Sequence, residues 1–543
     1  MIRSTFAGFT TAQLAMSASQ RALDVTGQNI ANINTLGYTR QRLDISSLNT
    51  SGADFHNSHN SIRVGYGVQM TGVSQLRDPF LDMQYRAQMS KLGTADSQVA
   101  GLEQLEPIFD ETTDDGIRSA LENIVSSLDE LSKNPNAKEL DSMVRSNMQI
   151  LLNLFHNQAT DLESVRNDAT QGFATTDIAD VNQILENIAN LNRSIKNSQI
   201  LGNPALELQD QRNDLLDQLA SYIPINVKYS DQPVGPGQTV EVLDVSFTTT
   251  DGTKISLISD MNHTSFHTDI SGQPVTLSVF DLNGGQEIDI TNSIESGTIK
   301  GTLDFLNKSG DFDNSDFKGI GYYEKVLDSL VGTFAEKLNA ANKAVQIGPD
   351  GNPVKNPNYD PNAPTDPKDP NYDATKVNEY MMEDRPLFEK IDPNADWSAS
   401  NIKIADGWTN GTYGITNSTE VKNNQIGATD NENILDMIKL FDTDMEFQVN
   451  GVKFFTGTFG KCYSNIESTL GVDIRSAETM LKNQISVLNQ TANSRDGISG
   501  VQLDEEGMNL MHFNQSYTAA ARLMTTLDEA LDTLINKTGV VGR

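Results

Sequence analysis

The chain has one cysteine, Cys462, in 543 residues. That excludes intrachain disulfides, cysteine zinc clusters and iron–sulfur sites. It fits a reducing compartment, or an exported protein that does without disulfides. Positive charge is scarce too: 40 Lys and Arg stand against 73 Asp and Glu, a formal net charge of −33. Such a surface repels phosphate backbones and anionic headgroups, so neither nucleic-acid binding nor membrane-surface binding is expected. No run of 18 apolar residues occurs, which argues against a transmembrane helix and membrane insertion. Ser4 to Gln20 alternates apolar with Thr, Ser and Gln, without the apolar core of a Sec signal peptide, so export would proceed without cleavage. Apolar content is only 37%.

Catalytic and ligand motifs are equally thin. There is no Gly-x-Ser-x-Gly elbow, and Phe455 stands where a phosphate loop ending in Gly460-Lys461 needs glycine. His263 and His267 have the i,i+4 spacing of helical zinc ligands, but they sit in strand-like sequence without a metalloprotease glutamate, and they read as surface. His56 and His59 lie in a polar loop. Asp311 to Gly319 begins like a calcium loop, yet Asp316 and Tyr322 occupy the positions that require Gly and an acid. Asp504, Glu505 and Glu506, like Asp114-Asp115, read as acids at the positive end of a helix. No enzyme, metal or cofactor is expected from these residues.

What the sequence does carry is periodicity at its two ends. Ile2, Phe9, Met16, Leu23 and Ile30 are seven apart, with Thr5, Ala12, Ser19, Thr26 and Ile33 at offset three: one narrow helical stripe. Asn34 to Tyr38 reads as its stop. Near the other end, Leu510, Phe513, Tyr517, Ala520, Met524, Leu527, Leu531 and Leu534 alternate spacings of three and four, enough for a coiled coil. Gly539 and Gly542 follow. A stripe on a single long helix needs a partner. The expectation is that the termini pair, stay mobile in the monomer and become ordered on assembly.

Between them the pattern is nested. Helical spacing runs from about 92 to 222, as in Ile117, Leu121, Ile124, Leu128 and Leu131 before Asn134-Pro135. Period two takes over from about 225 to 305, with hairpin signals at Asp251-Gly252 and Asn283-Gly284. Helix returns at 322–345. Residues 349–370 hold seven of the 17 prolines and read as an exposed loop or arm. Short strands and turns follow over 386–458, with Trp397, Trp408 and an Asn450-Gly451 hairpin, and helix resumes at about 460. Acid is concentrated in the middle: residues 301–450 carry 26 acids against 13 bases. The expected class is multidomain α+β. Its parts are a terminal coiled-coil domain (1–38 with 503–543), a helical bundle (39–224, 318–346 and 459–502), a β domain (225–317) and an outer loop or β region (347–458).

The ends also resemble a known family. Asn29-Ile-Ala-Asn32-Ile-Asn34-Thr-Leu36-Gly37-Tyr38-Thr-Arg40-Gln41 resembles the signature of bacterial flagellar axial proteins, shared by hook, rod and hook-associated members. Gly500 to Glu506 with Phe513 to Arg522 is similar to the carboxyl-terminal motif of the hook-associated members. Leu208 to Leu219 resembles their helical segment, as does Gly67 to Val73 leading into Phe80-Leu81 and Gln84 to Arg86. Together these cover about 1–225, 297–345 and 455–543. Two departures stand out: Leu36 replaces a usual proline, and Gly507 follows Glu506.

The resemblance implies an extracellular structural protein at the junction of hook and filament, needed for filament assembly and motility. Its terminal helices would line an inner tube, with the bundle around them and the β domains outside. The implied partners are further copies in a ring or helical tube, the hook protein, a second hook-associated junction protein, and an export chaperone on the carboxyl-terminal helix. Export would use the flagellar type III route. The axial-motif residues would be Asn29, Asn32, Asn34, Gly37 and Tyr38. Other readings are a hook or distal rod protein, a surface binding module at 225–305 and 386–458, or a hydrolase inserted between axial ends.

Overall fold

The computed structural model describes residues 6–48, 65–110, 116–235, 238–282, 284–310, 312, 317–364, 369, 372–422, 425–427 and 429–537. Thr5, Ile2, His56, His59, Asp114-Asp115, Asn283, Asp311, Asp313, Asp316, Pro367, Pro370, Gly539 and Gly542 lie outside the described residues.

Helix α1 (Ala7–Ala31) ends at Asn32, and Gly37 takes φ +78° in the turn beyond it. Residues assigned above to the bundle then begin with a hairpin: β1 (Gln41–Ser47) pairs antiparallel with β2 (Val68–Gln75), with a bulge between Asp44 and Ile45. These strands are polar and mostly exposed, so hydrophobic alternation does not announce them; packing on α1 holds them in place.

A layer of helices follows. Asp78 caps α2 (Pro79–Glu103) by accepting from the Phe80 N–H at 2.9 Å, with Pro79 at the first turn. After the short α3 (Glu106–Phe109), α4 (Ile117–Lys133) buries the five apolar residues of its stripe. Helix α5 (Lys138–Gly172) passes through a π-helical turn, Phe173–Asp177, directly into α6 (Ile178–Ile200), and α7 (Leu206–Tyr222) returns beside it.

The β domain has two sheets. One is the antiparallel order β3 (Asn226–Gly235), β4 (Gln238–Thr248), β5 (Lys254–Ser259), β6 (Asn262–His263); the other is β7 (Phe266–Asp269), β8 (Thr276–Phe280), β9 (Glu287–Asp289). Helix α8 (Thr298–Asn307) then packs on α2. The approach is close: a Cβ on Gly93 would lie 2.8 Å from the Thr298 hydroxyl of α8 and 2.2 Å from the Ser221 carbonyl oxygen of α7, and one on Gly101 would lie 2.7 Å from the Phe305 ring. Only glycine permits it.

Helix α9 (Ile320–Ala341) is the spine of the remainder. Strand β10 (Lys343–Val345) pairs with β11 (Met382–Asp384), and the proline-bearing segment and α10 (Ala374–Val377) lie between them. Strands β12 (Phe388–Glu389) and β13 (Lys403–Ile404) pair, followed by α11 (Asp406–Thr409). The region read as strands and turns also contains α12 (Glu432–Asp442), which buries Ile434, Met437 and Phe441. Strands β14 (Met445–Val449) and β15 (Val452–Gly457) meet at Asn450-Gly451, both at positive φ, as a primed hairpin turn requires. The 41-residue α13 (Phe459–Ser499) and then α14 (Leu503–Asp532) complete the chain order.

One contiguous apolar core runs from Leu102 to Ile474, through helices and β domain alike. The Phe334 ring sits 5.2 Å from Phe388 and 5.3 Å from Phe459, which locks the 386–458 region onto the body. No described residue of α1, β1, β2 or α14 belongs to this core. The terminal pair is held by something else.

Candidate assembly interface

Helices α1 and α14 pack antiparallel. Asn29, near the end of α1, meets Glu506 at the start of α14, and Gly8 meets Leu527 at the far end, where an added Cβ would come within 3.1 Å of the leucine. The seam is made of small residues. On α1 the buried positions are Ala12, Ala18, Ala22, Thr26 and Asn29; on α14 they are Glu506 and Ala520. The large residues of the two stripes flank this seam. Phe9, Met16, Leu23, Ile30, Phe513, Met524, Leu527 and Leu531 are half-buried. Ile33, Leu510, Tyr517 and Leu534 are exposed. A two-helix contact covers only a line, so part of each apolar stripe stays open to solvent.

The axial motif forms a polar knot at the base of the pair. Asn29, 1% exposed, uses its whole side chain. Its Nδ2 donates to the Gln41 carbonyl at 2.9 Å and to Glu506 Oε2 at 3.1 Å. Its Oδ1 accepts from the Gln41 N–H and from the Tyr38 hydroxyl, each at 2.9 Å. Arg40 grips α14 with Nε on Glu506 Oε1 at 2.7 Å and Nη1 on Glu505 at 2.6 Å. Its N–H also donates to the Ser499 carbonyl at 2.8 Å. A buried amide with every group satisfied and a paired buried carboxylate fix one geometry.

A second tie runs from the motif to the body. Asp210 of α7 accepts from the Thr39 N–H at 3.1 Å and from Gln75 at 2.9 Å. Burial pushes the Asp210 carboxyl above its ordinary value, against the pull of Thr39 and Arg77. Burial, then Asp210, Glu207 and Glu506, raises the Tyr38 hydroxyl well above the usual phenol range. It therefore stays protonated and donates.

The remaining motif residues shape the turn. Asn32 bonds Gln28 and Thr35. Gly37 supplies the positive φ. Asn34 is exposed, as is Leu36 at 96%. The reading of Glu505 and Glu506 as dipole acids is thus incomplete: both lie in the first turn of α14, and both are also held by Arg40. The usable signal was a cation in one terminal motif matched by acids in the other. Beside the knot, Ala15, Ala18, Ala22, Leu43, Val68 and Phe513 help line a largely apolar cleft of about 560 Å³ between α1, α14 and the hairpin.

Elsewhere, His267 pairs with Glu287 on an exposed sheet face. Among the described residues no group of three or more His, Cys, Asp or Glu side chains is placed to hold a metal. No described helix is long and apolar enough to cross a membrane.

The comparisons with known proteins fit this layout. A model of the flagella basal body rod protein matches residues 9–39, and one of the flagellar basal body rod FlgEFG protein C-terminal region matches 497–537. A model of the flagellar hook-associated protein FlgK helical domain matches 102–354. Flagellar hook-associated protein 1 of Bacillus subtilis (strain 168) is 30% identical over 552 residues, covering 99% of this chain and 100% of that protein. The chain belongs to the flagellar hook-associated protein 1 family. The Salmonella typhimurium member is 25% identical over 584 residues, covering 97% and 98%. The structure of the flagellar hook junction protein FlgK from Burkholderia pseudomallei shares the fold, with a TM-score of 0.53 at 14% identity, over 77% of this chain and all of that one. The two rod-type matches of this family member fall on the two elements that the Asn29–Arg40–Glu506 knot joins.

Proposed function

We propose that this chain is the structural junction between flagellar hook and filament, and that its paired terminal helices are the surface on which copies assemble. One observation carries the reading: both terminal helices lie outside the main core and leave the large residues of their stripes half-covered or exposed. A protein that worked as a monomer would cover them. In an assembly, neighbouring copies cover Leu510 and Tyr517 of α14, Leu534 just beyond it, and the Phe9–Ile30 stripe of α1. The cleft beside the knot extends the same face.

The polar knot has a definite part in this. It presents α1 and α14 as one rigid pair, so each copy offers the same face to the next. The bundle, β domain and acidic outer region then project from that pair. Partners in this reading are further copies, the hook protein and a second hook-associated junction protein. An export chaperone engages α14, whose exposed stripe needs cover before assembly. The role is structural, outside the cell, and reached by flagellar type III export.

Electron microscopy of cells lacking this chain, with an assay of flagellin in the medium, tests the proposal. Complete hooks without filaments, and shed flagellin, support it. Absence of hooks moves the chain down the axis to hook or rod. Normal filaments refute a junction role.

A further inference from the structure

The chain crosses between the terminal unit and the body twice, at 76–78 from β2 into α2 and at 500–502 from α13 into α14. Where α14 begins is therefore set by where α13 ends. Yet α13 is anchored at its other end. Its buried residues, Phe459, Cys462, Tyr463, Ile466, Leu470 and Ile474, all lie in its first half. None of residues 475–499 is buried. Even the apolar Met480 and Val487 of that stretch are exposed. A helix end with so little buried surface opens easily unless a specific contact pins it.

Arg495, four residues before the end of α13, supplies the pin. Its Nη1 lies 2.6 Å from Asp217 Oδ2 of α7 and 3.9 Å from Asp82 Oδ1 of α2. Its guanidinium carbon stands 3.8 Å from the centre of the Tyr85 ring of α2. A flat cation can pair and stack at once, so one side chain ties this end to two other helices. The ties belong to a ladder of alternating charge. Arg86 Nε holds the other oxygen of Asp217 at 2.7 Å, and Arg77 holds Asp82 through two bonds of 3.2 Å. Arg77 sits at the first crossing, so the ladder draws both crossings together. The knot follows directly. Ser499 donates its hydroxyl to the Arg495 carbonyl at 2.8 Å, and its own carbonyl accepts from the Arg40 N–H at 2.8 Å.

We propose that Arg495 is a positioning residue for assembly, which fixes the angle at which the terminal pair leaves the body. Asp217, Asp82 and Tyr85 all belong to the body, and Arg495 acts on α14 through the placement of Ser499. Its loss strands no carboxylate, because Asp217 keeps Arg86 and Asp82 keeps Arg77. The consequence is a loosened joint in a folded chain. The purpose of the joint rests on the junction reading: copies that repeat in one assembly present the same surfaces, so face and body must keep one angle.

The test is made on the full-length monomer, where the joint can fail while the junction reading stands. Spin labels at Met511→Cys on α14 and Ser164→Cys on α5 report the angle by double electron–electron resonance. Both positions are exposed, and the native Cys462 is buried. Native Arg495 should give one narrow distance distribution. Arg495→Met should at least about double its width, with a thermal midpoint within about 2 °C of the native one. Arg495→Lys, which keeps a cation for Asp217, should restore most of the narrowness. Arg166→Met breaks an ion pair inside the body, with Glu324, and should lower the midpoint without broadening the distribution. A broad native distribution, a native width in Arg495→Met, or equal broadening in Arg166→Met overturns the proposal. So does a Lys variant no narrower than Met, or a large fall in the Arg495→Met midpoint, which would make the residue one of general stability. Hooks and filaments in cells then still decide the junction reading by themselves.

Discussion

Replacing Arg40 by alanine should open the base of the terminal pair while leaving the body folded. The Glu506 side chain is 2% exposed and has two partners, Arg40 Nε at 2.7 Å and Asn29 Nδ2 at 3.1 Å. Arg40→Ala leaves that carboxylate with the amide alone. Breaking a buried pair in this way costs about 3–5 kcal/mol. The nearby seam offers little to offset it, since its buried side chains are mostly alanines. At about 1.4 kcal/mol per factor of ten, opening of residues 26–31 and 503–510 should rise roughly 10²–10⁴-fold. Amide exchange of the full-length monomer, read by mass spectrometry, measures this directly, with α5 and α9 as unaffected references. The double variant Arg40→Met with Glu506→Leu should recover most of the loss, because neither buried charge remains. Unchanged exchange in Arg40→Ala, or a double variant whose loss equals the sum of the singles, would refute the coupling.

Three further outcomes follow from the body. Burial raises the Asp328 carboxyl from 3.8 to about 6, against the pull of the bond from the Ala399 N–H. The folded chain therefore keeps a proton that the unfolded chain loses between those values, so this group's contribution to stability falls as pH rises from about 4 to 6. Asp328→Asn, which can still accept from Ala399, should be more stable at pH 7.5 by about 1–3 kcal/mol in urea unfolding, and equal or lower stability counts against it. Gly93→Ala drives a methyl to 2.2 Å from the Ser221 carbonyl oxygen and should lower stability by about 2 kcal/mol or more, seen as a lower thermal midpoint. The Cys462 thiol is fully buried and pushed up to about 12 by that burial, so it should not react with a thiol reagent at pH 8 until the chain unfolds; rapid native labelling would contradict the core packing.

The helices were legible where one face is apolar over many turns. Ile117 to Leu131 buries the residues its spacing picks out. Strands with clear alternation and a turn signal, such as Met445–Val449 and Val452–Gly457 around Asn450-Gly451, were legible for the same reason. Helix α12 hid because its eleven residues lie within a region dominated by turns. The hairpin at 41–75 hid because its strands face solvent and owe their place to α1. At the candidate interface the periodicity located both helices, and its small members Ala12, Thr26 and Ala520 are among the residues buried between them. Small residues, Ala12, Ala18, Ala22 and Ala520, set the approach of the axes, while the bulky stripe stays at the margin. The polar knot was not readable from spacing, since Asn29, Arg40, Asp210 and Glu506 are brought together only by tertiary structure.

The knot holds one end of the pair, and the other end rests on the alanine seam and the Gly8–Leu527 contact. That gradient makes the far halves, 7–20 and 515–532, the most direct probe of the assembly role. Amide exchange should be compared between the full-length monomer and the same chain in isolated flagella. The account predicts at least about tenfold slower exchange of both far halves in flagella, where neighbouring copies cover them, with the β domain core at Leu243–Ile258 unchanged. Equal exchange of the far halves in the two states would contradict the claim that the terminal helices are where this protein assembles.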